Sequence, residues 1–140
     1  MSEERPSFVG MHFFVRDMQA ALAFWSLLGF EPSRASDQFA HIDLPDGQSL
    51  EFGTYELTKG YDPGWRQPTG TGTNALQFRL ASRAAVDAMY DRVTAAGYAS
   101  HLAPFDAFWG ARYAEVCDPD GNIIGFHSPS DAPRTPAPGH

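Results

Sequence analysis

Apolar and polar positions along the chain follow the same order twice. Residues 8–16, "FVGMHFFVR", are rich in Phe and Val and predict a strand buried on both faces. Asp17 then suits a helix N-cap, and "MQAALAFWSLLGF" carries apolar residues at Met18, Ala21, Leu22, Trp25 and Leu28, the spacing of one helical face. Gly29 supplies the stop. Phe24 and Trp25 belong to the buried face of that helix. Three short strands are predicted next, at Ser33 to Ser36, Gln38 to Leu44 and Gln48 to Tyr55, the last two joined by a Pro45-Asp46-Gly47 turn.

The second round begins with a strand at "NALQFRL", residues 74–80, capped by Ser82 and followed by the helix "RAAVDAMYDRVTAAGY". A shift of 65 places pairs Val15 with Leu80, Asp17 with Ser82, Phe24 with Met89 and Trp25 with Tyr90. Gly29-Phe30 then matches Gly97-Tyr98 if the second helix is three residues longer. Strands near Ala99 to Leu102, Arg112 to Asp118 and Asn122 to His127 complete the copy. The fold class is therefore α+β, with two βαβββ modules in tandem, about 7–57 and 74–129, in a single domain over 1–129. The Gly-, Pro- and Thr-rich run 58–73, "TKGYDPGWRQPTGTGT", reads as a linking loop. The Pro-rich tail 130–140 is expected to be disordered.

Composition narrows the role. At 140 residues the chain is one domain's worth, long enough to bury a core. A net charge of −7 argues against nucleic acid or an anionic membrane surface as partner. No apolar run reaches the ~20 residues of a membrane span, and the acidic N-terminus lacks the apolar stretch of a secretory signal, so a cytoplasmic protein is expected. Cys117 is the lone cysteine, which excludes a disulfide framework and reads as a buried structural thiol. Aromatic residues make up 14% of the chain, enough to pack a core and still line a pocket.

"RDMQAALAFW…LGF" and the closing "WGARYAEVCDPDGNIIGF", set in this tandem frame, resemble the vicinal oxygen chelate superfamily of glyoxalases, bleomycin resistance proteins and dioxygenases. The resemblance covers residues 7–129. It implies concave mixed sheets that form a cup, and a dimer that shares modules. Its metal enzymes hold a divalent ion with two first-strand residues, usually His, and two final-strand carboxylates. Those positions fall here on Gly10, Glu51, Ala75 and Gly125. Only Glu51 has a donor atom, so no bound metal and no cofactor are expected. Two places further along the strands stand His12, Gln77 and His127. A displaced site of His12, Glu51 and His127 is the alternative, but the shift of ~6.6 Å along a strand is not shared by Glu51, so the groups need not converge.

"GYDPGW", "QPTG" and "AAGYASHLAPFDAFWGARYA…DPDGN" are more closely similar to the mitomycin-binding resistance proteins and to relatives that sequester anthraquinone-fused enediynes. The resemblance implies a homodimer that binds a planar, quinone-bearing antibiotic between aromatic side chains and leaves it unmodified, with no catalytic residues. Trp109, before Gly110 in a Pro- and Ala-rich loop with Phe105 and Phe108, is the first candidate to stack on such a ligand. Phe39 and His41 share a strand face, and Tyr55, Tyr61 and Trp65 lie at or beyond the next strand's end. His12, His41, Asp43, Glu51 and Gln77 are candidates to hydrogen-bond a quinone carbonyl or hydroxyl. Arg112 suits a surface or turn role as well as a ligand. The alternatives are a metal-dependent isomerase, dioxygenase or thiol transferase with a displaced site, and a metal-free enzyme with Glu51 or His12 as general base.

Overall fold

The computed structural model describes residues 5–69 and 74–130. The chain divides into two units, Met1–Gln67 and Pro68–His140. In the first, β1 (Gly10–Val15) leads into α1 (Met18–Leu27), then β2 (Ser33–Arg34), β3 (Phe39–Asp43), β4 (Ser49–Thr54) and α2 (Tyr55–Tyr61). The Asp17 carboxylate caps α1 by accepting from Ala20 N at 3.2 Å. At the other end Gly29 turns left-handed, φ +104°. The N–H groups of Gly29 and Phe30 then reach back to the carbonyls of Ser26 and Trp25. The rings of Phe30 and Trp25 meet at 5.8 Å, the apolar contact that accompanies this cap.

The sheet runs β1-β4-β3-β2, with β1 parallel to β4 and the rest antiparallel. Asp46 and Gly47 both have positive φ at the β3–β4 turn, the geometry an Asp-Gly pair serves. β1 is not buried on both faces as its apolar run suggested. Phe13 and Val15 are buried, whereas Met11 and Phe14 are 37% exposed. One sheet face, with Phe13, Val15, Ala40, Ile42, Leu50 and Phe52, forms a core with Met18, Ala21, Phe24 and Trp25 of α1. The other carries Gly10, His12, Phe14, Phe39, His41, Glu51 and Gly53, by strand alternation.

The second unit repeats the plan: β5 (Ala75–Arg79), α3 (Arg83–Ala95), β6 (Ser100–Asp106), β7 (Arg112–Cys117) and β8 (Ile123–His127), in the order β5-β8-β7-β6. Ser82 caps α3 through Ala85 N at 3.1 Å, and Gly97-Tyr98 closes it as Gly29-Phe30 closes α1. Helices of 10 and 13 residues bear out the expected difference of three. Val86 and Val93 of α3 are buried with Ala114, Val116, Ile124 and Phe126. In the β7–β8 turn the buried Asp118 carboxylate accepts from the N–H groups of Asp120 and Asn122 and from the Asn122 amide. Burial raises its pKa above the usual carboxylate value against those bonds.

Several boundaries differ from expectation. Thr58–Tyr61, read as linker, is helical, because the Thr54 hydroxyl caps α2 by accepting from Leu57 N. Tyr55 therefore starts a helix instead of ending a strand. β2 shortens to two residues, and β6 runs on through Pro104 to Asp106, which puts Phe105 in a strand and not in a loop. Cys117 is only partly buried. Residues 70–73 and the tail beyond 130 lie outside the described residues. No helix among the described residues is long and apolar enough to cross a membrane.

Candidate functional site

The open face of the second sheet forms a cavity of about 720 Å³, lined by Gln77, Arg79, Phe108, Trp109, Tyr113, Glu115 and His127 among others. Register explains which side chains meet there. Gln77 pairs with Gly125 and Gly125 with Glu115, while Arg79 pairs with His127, His127 with Tyr113 and Tyr113 with Phe105. Two rows of side chains thus cross the sheet, one residue pair apart on the same face.

Gly125 has a definite job in the first row. A Cβ placed there would lie 2.6 Å from the Tyr113 hydroxyl and 2.7 Å from Gln77 Oε1. The space where a carboxylate could project is instead the seat of a hydrogen-bond chain. Gln77 Nε2 donates to the Tyr113 oxygen at 2.9 Å, and the Tyr113 hydroxyl donates to Glu115 Oε2 at 2.5 Å. Glu115 Oε1 is 3.8 Å from His101 Nε2. Burial, with the Glu115 hydrogen bond second, pushes the Tyr113 pKa up to about 12, so the phenol keeps its proton at neutral pH. That proton is committed to the stronger acceptor, the carboxylate. Gln77 must therefore present its N–H to the tyrosine oxygen, and its Oε1 is left to accept.

The β6–β7 loop supplies the aromatic wall. Ala107 N–H bonds the Ala111 carbonyl, Gly110 N–H bonds that of Ala107, and Gly110 takes φ +88°. The turn sets Trp109 edge-to-face with Tyr113 at 5.3 Å and with Phe108 at 5.0 Å. Phe105 completes the cluster, and the Ser130 hydroxyl holds the Trp109 carbonyl at 2.7 Å. Of the ten candidates from the sequence, Gln77, Phe108 and Trp109 line this cavity. Tyr113, Glu115 and Arg79 were missed, although the i, i+2 spacing of Tyr113 and Glu115 on a strand signalled a shared face. Arg112 pairs with Asp87 at 2.9 Å and Asp106 at 3.3 Å.

The other seven candidates stand on the first unit. His12 Nδ1 is 3.2 Å from Glu51 Oε1, so these two groups do converge, because β1 and β4 are parallel neighbours with His12 opposite Glu51. The ring lies over Gly53, where a Cβ would come within 2.8 Å of Nε2; that nitrogen is buried without a hydrogen-bond partner among the described residues. Phe39 and Phe14 flank the imidazole at 6.4 and 5.1 Å. Tyr55 and Trp65 meet at 4.9 Å, and Trp65 also contacts Phe14. His41 approaches Asp43 at 3.4 Å, with the Asp43 carboxylate in solvent.

Comparison with known proteins decides the family. The profile of the glyoxalase/bleomycin resistance protein/dioxygenase superfamily matches residues 8–126. The chain belongs to this superfamily. Among solved structures it is similar to a glyoxalase/bleomycin resistance protein/dioxygenase from Nocardioides, with TM-score 0.77, 22% identity, and 99% and 93% of the two chains covered. It is also similar to a glyoxalase-related enzyme from Fulvimarina pelagi, with TM-score 0.77, 20% identity, and 94% and 98% covered. A lactoylglutathione lyase from Agrobacterium tumefaciens gives TM-score 0.66 at 18% identity, with 91% and 97% covered. These likenesses establish the shared fold. Comparison with curated proteins finds no match.

The residues do not fit the metal ion of the superfamily's enzymes. Position 10 is closed to any side chain: with φ +147°, a Cβ there would stand 1.9 Å from the Ser49 carbonyl oxygen. Ala75 offers no donor, and the place before Gly125 is taken by Gln77 and Tyr113. Among the described residues no group of three or more His, Cys, Asp or Glu side chains could hold a metal.

Proposed function

We propose that this chain is a drug-sequestering self-resistance protein of the superfamily. It binds a planar, quinone-type cytotoxic compound, mitomycin-like or an anthraquinone-fused enediyne, and holds it unmodified in the cytoplasm as a homodimer. The observation that carries this reading is Trp109, set by a short turn against Tyr113 on the wall of a cavity of about 720 Å³. That volume suits a drug-sized molecule, and an aromatic wall with a few fixed polar groups is the usual make-up of such sites. Stacking on an indole adds ~0.5–1.5 kcal/mol beyond area burial. Gln77, held by Tyr113, offers one oriented acceptor to a ligand hydroxyl.

The test is incubation with mitomycin C and with an anthraquinone, followed by mass spectrometry of the recovered ligand. Unchanged mass, with binding weakened roughly 30- to 1000-fold in Trp109→Ala, is expected from ~2–4 kcal/mol of lost contact and stacking. A ligand of altered mass, or full affinity in Trp109→Ala, overturns the reading. The 3.2 Å contact of His12 with Glu51 favours one second reading, a metal-free enzyme with that pair as general base. Turnover lost in Glu51→Gln would establish it.

A further inference from the structure

Arg79 is the charged group of the cavity for which neither the fold nor the aromatic wall has a use. It lines the cavity from the edge strand β5, and its side chain has no hydrogen bond or ion pair among the described residues. Neighbouring arginines are committed: Arg83 to Asp106 at 2.7 Å and the Gly110 carbonyl, Arg112 to Asp87 and Asp106. The strand does not need the guanidinium either. By the 65-residue shift, the equivalent position in the first unit is Phe14, a ring packed on Trp65. Glu115 shares the cavity but does not neutralise Arg79. It lies one row away, level with Gly125, with its oxygens turned to Tyr113 and His101.

We propose that the ligand of this cavity carries an anionic group of the carboxylate class, seated on Arg79, at the far end of a flat ring system from Trp109. This rests on the reading that the cavity binds a planar aromatic compound, and it names the polar end of that compound. Arg79, His127 and Tyr113 form one row across adjacent strands. Two strand spacings, ~9.6 Å, separate the Arg79 backbone from that of Tyr113, the neighbour of Trp109, about the length of a fused three-ring ligand. A guanidinium recognises such an anion through two parallel N–H donors, which ties direction as well as charge to the contact. The Glu115 carboxylate disfavours a second anion at the Gln77 row and so sets the ligand's polarity.

The probes are anthraquinone-2-carboxylate and anthraquinone-2-carboxamide, titrated against the whole protein by quenching of tryptophan emission. The carboxylate should bind roughly two- to tenfold more tightly than the amide, and Arg79→Gln should erase that difference. Arg79→Lys, which keeps the charge but not the fork, should restore only part of it. Raising sodium chloride from 50 to 500 mM should weaken the carboxylate and not the amide. Equal binding of both probes, or a preference that survives Arg79→Gln, overturns the anion assignment and leaves the aromatic site standing. Binding of neither probe overturns both.

Discussion

Gly125→Ala adds one methyl group and tests the account of the cavity floor directly. The new Cβ would lie 2.6 Å from the Tyr113 hydroxyl and 2.7–2.8 Å from both polar atoms of the Gln77 amide. Gln77 is flexible and turns away, which removes its bond to Tyr113 at ~0.5–1.5 kcal/mol. Tyr113 is 7% exposed and tied to Glu115, so it moves only by straining the ring cluster, an overpacking cost of ~1–3 kcal/mol. Gly125 does not have a positive φ, so alanine also narrows the unfolded ensemble and returns ~0.4–1 kcal/mol. The net expectation is a loss of roughly 0.5–4 kcal/mol in urea denaturation at an unchanged slope. The decisive measurement is a double-mutant cycle. In Tyr113→Phe the nearest contact is gone, and in Gln77→Ala the next, so the cost of Gly125→Ala should fall by ~0.5–3 kcal/mol in each background. A cost that stays the same in both would mean that Gly125 serves the backbone, and that the hydrogen-bond chain has no claim on its space.

Gly10→Ala should be among the most damaging single-methyl changes, more than ~3 kcal/mol by urea midpoint, because its Cβ would meet the Ser49 carbonyl at 1.9 Å with φ at +147°. Trp25→Ala, at 0% exposure among Phe13, Phe24, Phe30 and Phe52, should cost ~3–5 kcal/mol in stability, whereas Trp109→Ala, which loses the ring contacts of a half-buried indole, should cost less, ~0.5–2 kcal/mol. Folding raises the Tyr113 pKa from 10.0 to about 12 and so favours the protonated phenol. The stability this linkage contributes is complete below pH ~10 and is lost as pH rises from there through about 12. Denaturation at pH 9 and pH 11.5 should therefore show a larger drop for the parent than for Tyr113→Phe; equal drops would refute the linkage.

The tandem plan was legible because each module announces itself locally. Asp17 and Ser82 cap helices, Gly29 and Gly97 stop them, and the apolar stripe between is helical in period. The place of Phe108 and Trp109 in the loop before Arg112 was legible from Gly110, whereas Phe105, read into the same loop, belongs to β6. The chain order, however, does not say which strands lie side by side. β1 neighbours β4, and that pairing brings His12 onto Glu51 although a two-residue offset argued against it. The same ignorance hid the Gln77, Tyr113 and Glu115 chain, whose members come from β5 and β7 and meet only across Gly125 of β8. α2 was missed because a single capping hydroxyl, that of Thr54, outweighs the breaker Gly60 in so short a helix.

Gly10 and Gly125 also bear on how such a chain can change over generations. Each glycine stands where the resemblance to the superfamily's metal enzymes places a ligand, and each is hemmed in by its surroundings, one by the Ser49 backbone and the other by two long side chains. A single substitution to His at position 10 or Glu at position 125 meets those neighbours first and loses stability before it can gain a metal. Building a ligand set here requires several coordinated replacements on different strands. Packing around these two glycines thus puts a ligand at either position out of reach of any single substitution, whatever the cavity binds.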